Sequence, residues 1–135
     1  MKLLITIVIG CILISTAYGM DEEIKDMLIT HYNYTRNNYI QVDGLMDDFK
    51  DSKIDATRAE EKLQDWKEKY RKEMEVVPRQ AAKMRDSMLK IYDIAKEVVH
   101  DYRPQNLKTK NSLEELDEAC NILISELTAV KYLVK

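Results

Sequence analysis

Glu97-Val98-Val99-His100 carries the E-x-x-H spacing with which helical bundles hold di-iron centres, because one helical turn brings a carboxylate and an imidazole to the same metal. Such a site needs both side chains inward. The inner face of this segment belongs to Ala95, Val98 and Tyr102, which leaves Glu97 nearly opposite and His100 well off the face. No second E-x-x-H exists in the chain. The pair is read as part of a solvated face, and no metal is expected.

A second set is chemically richer. At 100° per residue, Ile24, Leu28, His31, Thr35, Asn38, Val42, Leu45 and Phe49 share one face of a helix. Its middle is polar where the other apolar stripes place Leu, Met and Val. Tyr32, Tyr34 and Tyr39 surround these residues. Buried polar groups must find partners or water, so two uses are open. One is a hydrogen-bonded layer that fixes helix register; the other is a small-molecule pocket formed by His31, Tyr32, Thr35, Asn38 and Tyr39. On the far side of the same helix Ile29 and Ile40 flank Asn33 and Arg36, which makes that face a candidate surface for a protein partner. Asn33-Tyr34-Thr35 is the one N-x-[ST] sequon, with Asn33 outward, and matters only where exported proteins are glycosylated.

Nucleophilic catalysis needs a Ser, Cys or Thr beside a base, normally on a turn whose backbone N–H groups form an oxyanion hole. The chain has two His, one Gly beyond residue 19 and no Gly-rich phosphate cradle. No enzyme is expected.

The elements that must position these residues are helices. Beyond Gly19 the breakers are Gly44, Pro78 and Pro104 alone. Ala56, Ala59, Leu63, Trp66 and Tyr70 step by three and four; so do Met74, Val77, Ala81, Met84, Met88, Ile91, Ala95, Val98 and Tyr102. Leu113, Leu116, Cys120, Leu123, Leu127, Val130 and Val134 repeat the step. Spacing near 3.5 predicts coiled-coil-like, side-by-side packing in an all-α antiparallel helical bundle.

Asp55 or Ser52 is expected to cap the second helix, with Thr57-Arg58-Ala59-Glu60 as a capping box, and Ser112-Leu113-Glu114-Glu115 is expected to open the last. Within the charged stretch from Arg58 to Glu75, Glu68 is placed to face Lys72. Pro78 leaves two architectures. If it starts a helix there are four; if it kinks one, a single helix from about Ala56 to Tyr102, roughly 70 Å long, has two others folded against it. The chain resembles cytochrome b562 in length and class, a family that holds haem between a Met early in the first helix and a His in the last. Met27 stands at the first position, but residues 113 to 135 contain no His and there is no C-x-x-C-H. No haem or other cofactor is expected.

The N-terminal nineteen residues, MKLLITIVIGCILISTAYG, place Lys2 before an apolar run from Leu3 to Ile14 and end in small residues, Ala17 and Gly19, at the −3 and −1 sites of a signal peptidase. This predicts a cleaved leader, a single domain over residues 20 to 135, and a secreted or periplasmic address. The alternatives are a membrane anchor over residues 3 to 18 and a lipoprotein modified at Cys11. The net charge is −3, one unit more acidic without Lys2, and the signs are mixed. That gives no electrostatic reason to bind nucleic acid. Membrane contact is expected only through an uncleaved N-terminal segment. Without Cys11, Cys120 is the remaining thiol; its place on the last stripe predicts a buried, inert group. The sequence thus reads as a non-catalytic interaction or structural module with a protein partner. Small-molecule binding through the first helix is the alternative, or a membrane-tethered coiled coil if residues 1 to 19 stay attached.

Overall fold

The computed structural model describes residues 21 to 135; the leader, its cleavage point and Cys11 lie outside them. Four helices account for nearly all of this span. Helix α1 runs Glu22–Lys50, α2 Ala56–Glu73, α3 Ala82–His100 and α4 Leu107–Leu133, with a 3-10 turn at Arg79–Ala81 leading into α3. Among the described residues no helix is long and apolar enough to cross a membrane.

Antiparallel order is visible in the polar pairs between α2 and α3. Lys67 meets Asp93, Gln64 meets Lys96, and Glu60 meets His100, so the partners step up one helix as they step down the other. Helix α3 packs against all three other helices, and α1 packs against α2, α3 and α4. Three-sided contact explains why α3 buries a wide face: Met84, Met88, Ile91, Tyr92, Ile94, Ala95, Val98 and Val99. Helix α2, with fewer neighbours, buries only Ala59, Leu63 and Tyr70.

The helix ends decide the architecture. At the end of α1, Ser52 N–H donates to the Phe49 carbonyl (3.1 Å) and Lys53 N–H to that of Asp48 (2.8 Å), the paired bonds of a Schellman motif. Ser52 sits at the left-handed position (φ 60°) where Gly is usual. It therefore closes α1 rather than opening α2. Asp55 caps α2, its Oδ1 accepting from Arg58 N–H at 2.8 Å, which puts Thr57 inside the helix and removes the expected capping box.

Pro78 starts a helix. Helix α2 stops at Glu73, Met74 turns into the core, and the Ala81 N–H donates to the Pro78 carbonyl at 2.8 Å. Proline contributes no N–H and a fixed φ, which suits the first turn of a helix and not the middle of one. The apolar stripe runs through the break because Met74 and Ala81 are both fully buried on either side of it; periodicity alone cannot register a turn that keeps phase.

The last helix begins earlier than Ser112. Asn106 accepts from Lys108 N–H at 2.8 Å and caps α4. Buried Thr109 accepts from Arg103 N–H at 2.9 Å, binding the new helix to the preceding loop. The first turn of α4 turns only Thr109 inward, so it carries no apolar signal of a helix.

Replacing Ser52 by Gly should stabilise the fold by about 1 kcal/mol, and Ser52→Val should destabilise it by more, since only the left-handed φ distinguishes them. Urea unfolding midpoints check both. Ile91→Ala, at a fully buried site, should cost about 2–5 kcal/mol in the same measurement.

Candidate functional site

Polar residues from the α1 stripe meet tyrosines from two other helices. Thr35 is fully buried, and its Oγ1 lies 2.8 Å from Tyr70 Oη of α2. Asn38 accepts at Oδ1 from the Tyr92 hydroxyl of α3 and donates from Nδ2 to the Tyr34 carbonyl at 2.9 Å. The rings stack into the same layer. Tyr34 lies parallel to Tyr70 with centroids 5.7 Å apart, and Tyr70 lies 6.1 Å from Tyr92 at a tilt. Among the described residues no buried side-chain nitrogen or oxygen lacks a partner.

Burial dominates the electrostatics of this layer. It raises the Tyr70 and Tyr92 hydroxyls far above the ordinary tyrosine value; the bond from Thr35 pulls Tyr70 slightly back. Burial keeps both phenols protonated where a free tyrosine would begin to ionise. They serve as neutral hydrogen-bonding groups, not as acids or bases.

The other members of the expected set are less enclosed. His31 is half-buried near Glu73, and desolvation lowers its pKa more than that carboxylate raises it. Tyr32 is half-buried and packs against the core rim. Tyr39 lies against Cys120 of α4; burial first, then the thiol and the Asp43 and Asp117 carboxylates, push its hydroxyl up to about 12. Cys120 is free and half-buried rather than buried, with burial pushing its thiol upward. The structure thus brings Thr35 and Asn38 into one layer, each bonded to a different tyrosine, and leaves His31, Tyr32 and Tyr39 half-buried on the same helix.

The helical stripes mark Tyr70 only as an apolar position and pass over Tyr92. The signal for Tyr92 was its spacing: it falls four residues after Met88 and seven before Val99, on a second seam of α3. A helix touched from three sides has more than one such seam.

A groove between α2 and α3 is lined by Thr57, Glu60, Glu61, Gln64, Asp65 and Lys96. His100 stands at the surface with Nδ1 3.5 Å from a Glu60 oxygen. Glu68 pairs with Arg71 at 2.9 Å rather than with Lys72. Among the described residues no group of His, Cys, Asp and Glu is arranged to hold a metal ion. On the outside of α1, Ile29 and Ile40 are exposed, 38% and 51%, with Asn33 and Arg36 exposed between them. Compared with known proteins, the chain matches no family model, no curated protein and no solved structure.

Tyr92→Phe should cost about 1–3 kcal/mol, because it leaves the Asn38 oxygen buried without its donor. In a double-mutant cycle, Tyr70→Phe combined with Thr35→Val should cost less than the sum of the single changes, as both ends of one bond leave together. The pH dependence follows from the raised phenols. The folded state keeps protons that the unfolded chain releases above its ordinary tyrosine value of 10.0. Their contribution is therefore complete below pH 10 and declines as pH climbs beyond it. Urea midpoints from about pH 8 to about pH 11 should fall at the alkaline end, and less steeply in Tyr70→Phe/Tyr92→Phe.

Proposed function

We propose that this protein is an exported, non-catalytic helical bundle that acts by binding another protein through the outward face of α1. The observation that carries the reading is the closed polar layer. With Thr35 and Asn38 bonded to Tyr70, Tyr92 and the Tyr34 carbonyl, the inner face of α1 has no uncommitted buried polar side-chain atom for a small ligand. What α1 still offers is its outside, where Ile29 and Ile40 stand in solvent around Asn33 and Arg36. Two such residues make a small apolar spot, suited to a transient contact rather than an obligate interface.

Export is supported by the order of residues 1 to 19: one cation, an apolar run shorter than a bilayer span, and small residues at the cleavage positions. A bundle outside the cytoplasm with one free thiol in its described part must rest on its core rather than on disulfides.

The test has two parts. Intact mass of the naturally exported protein should correspond to a chain starting at Met20; retention of residues 1 to 19 would replace secretion with a membrane tether. Ile29→Asp/Ile40→Asp should keep the helical content and melting temperature of the wild type while abolishing crosslinking to its partner. Partner capture that survives this change would move the interface off α1.

A further inference from the structure

The sequon Asn33-Tyr34-Thr35 lies wholly within α1, where residues two apart point to nearly opposite sides. Asn33 is exposed. Thr35 is fully buried, with its hydroxyl 2.8 Å from Tyr70 Oη. Tyr34 between them is half-buried and stacked on the Tyr70 ring. The requirement for Ser or Thr at the third position means that an N-glycosylating transferase must reach this hydroxyl as well as the amide. In the folded protein the two groups cannot be presented together.

We propose that Asn33 is a glycosylation site open only before the bundle closes: it is modifiable on the nascent chain, shut in the folded protein, and able to carry a glycan without disturbing the fold. In the transfer, Asn33 Nδ2 attacks C1 of a lipid-linked oligosaccharide. The N–C1 bond forms as the C1–O bond to the lipid pyrophosphate breaks, the pyrophosphate leaves with the electron pair, and the amide nitrogen gives up one proton to solvent. Because Thr35 sits mid-helix between buried Leu28 and Val42, end fraying does not expose it. Opening the sequon means undocking Tyr34 and Thr35 from Tyr70, which approaches global unfolding. Once α1 has packed, Asn33 points away from the core, so an attached sugar meets solvent. It would stand on the same face as Ile29 and Ile40 and cover it, so the glycosylated chain has this face masked and the unmodified chain alone offers it to a partner, a difference fixed at synthesis.

This inference takes its setting from the export reading, and the test separates the two. The full chain is produced with its own leader in a eukaryotic secretory host and weighed intact before and after treatment with an amidase that removes N-linked glycans. Absence from the medium counts against export alone, and the leader is then replaced by one the host is known to use. In the medium, the expected form carries a glycan lost in Asn33→Gln, and its melting temperature matches that of the enzymatically deglycosylated form. A secreted chain with no glycan overturns the proposal, as does a glycosylated chain that fails to fold. In a second arm, unglycosylated folded chain and the unfolded full-length variant Leu63→Asp/Ile91→Asp are each incubated with purified oligosaccharyltransferase and lipid-linked oligosaccharide. The folded chain should be modified at least about a hundredfold more slowly; equal rates overturn the proposal.

Discussion

Three helices of this bundle are tied together by one buried layer in which every polar group depends on a partner from another helix or another turn. Thr35 needs Tyr70, and Asn38 needs Tyr92 and the Tyr34 carbonyl. In a low-dielectric interior a satisfied bond adds modestly to stability, while an orphaned group costs the full desolvation of its polar atoms. Such a layer therefore discriminates against wrong registers more than it deepens the right one. A slip of α1 by one residue turns Thr35 and Asn38 off the facing tyrosines, and a slip by one turn sets Val42 in place of Asn38 against the Tyr92 hydroxyl, or His31 in place of Thr35 against that of Tyr70. The apolar stripes alone are far more tolerant, since Leu, Met and Val pack in many arrangements.

The charged groups have a different part. The ion pairs formed among the described residues, such as Lys67 with Asp93 and Arg71 with Glu68, lie at the surface with side chains partly or largely in solvent. Pairs of this kind contribute little individually. They mark the antiparallel register of α2 and α3 without enforcing it. Helix α3 gives the bundle its cohesion through Met84, Met88, Ile91, Tyr92 and Val98, all essentially out of solvent. Two of these are Met, whose flexible chain fills irregular space between three neighbours.

The helical stripes were legible because burial in a bundle follows the 3.6-residue period, and each stripe read from sequence lies inward or at the core rim in the structure. What periodicity could not supply was punctuation. The break before Pro78 preserves phase through Met74 and Ala81, so a turn and a continuous helix look alike. Caps were read by residue type, yet the chain has Ser52, Thr57 and Asp55 close together, and only backbone geometry assigns Ser52 to the end of α1 and Asp55 to the start of α2. The polar face of α1 was visible as an anomaly among apolar stripes. Its partners were not, because nothing in one sequence says which tyrosine of a distant helix arrives opposite Asn38. The outward pair Ile29 and Ile40 was readable from angle alone, since both lie opposite the stripe that α1 turns toward its neighbours.

The central claim is that the polar layer is a closed fastening and not an openable site. Native-state hydrogen exchange read at the amides of Tyr34 to Asn38 tests it most directly. If the layer fastens α1 to the rest, these amides exchange only through global unfolding, with the same free energy and denaturant dependence as the amides of Ile91 and Tyr92 in α3. Exchange at Tyr34 to Asn38 through a low-energy opening with little denaturant dependence, while α3 stays protected, would contradict the account and make the layer a cavity in waiting.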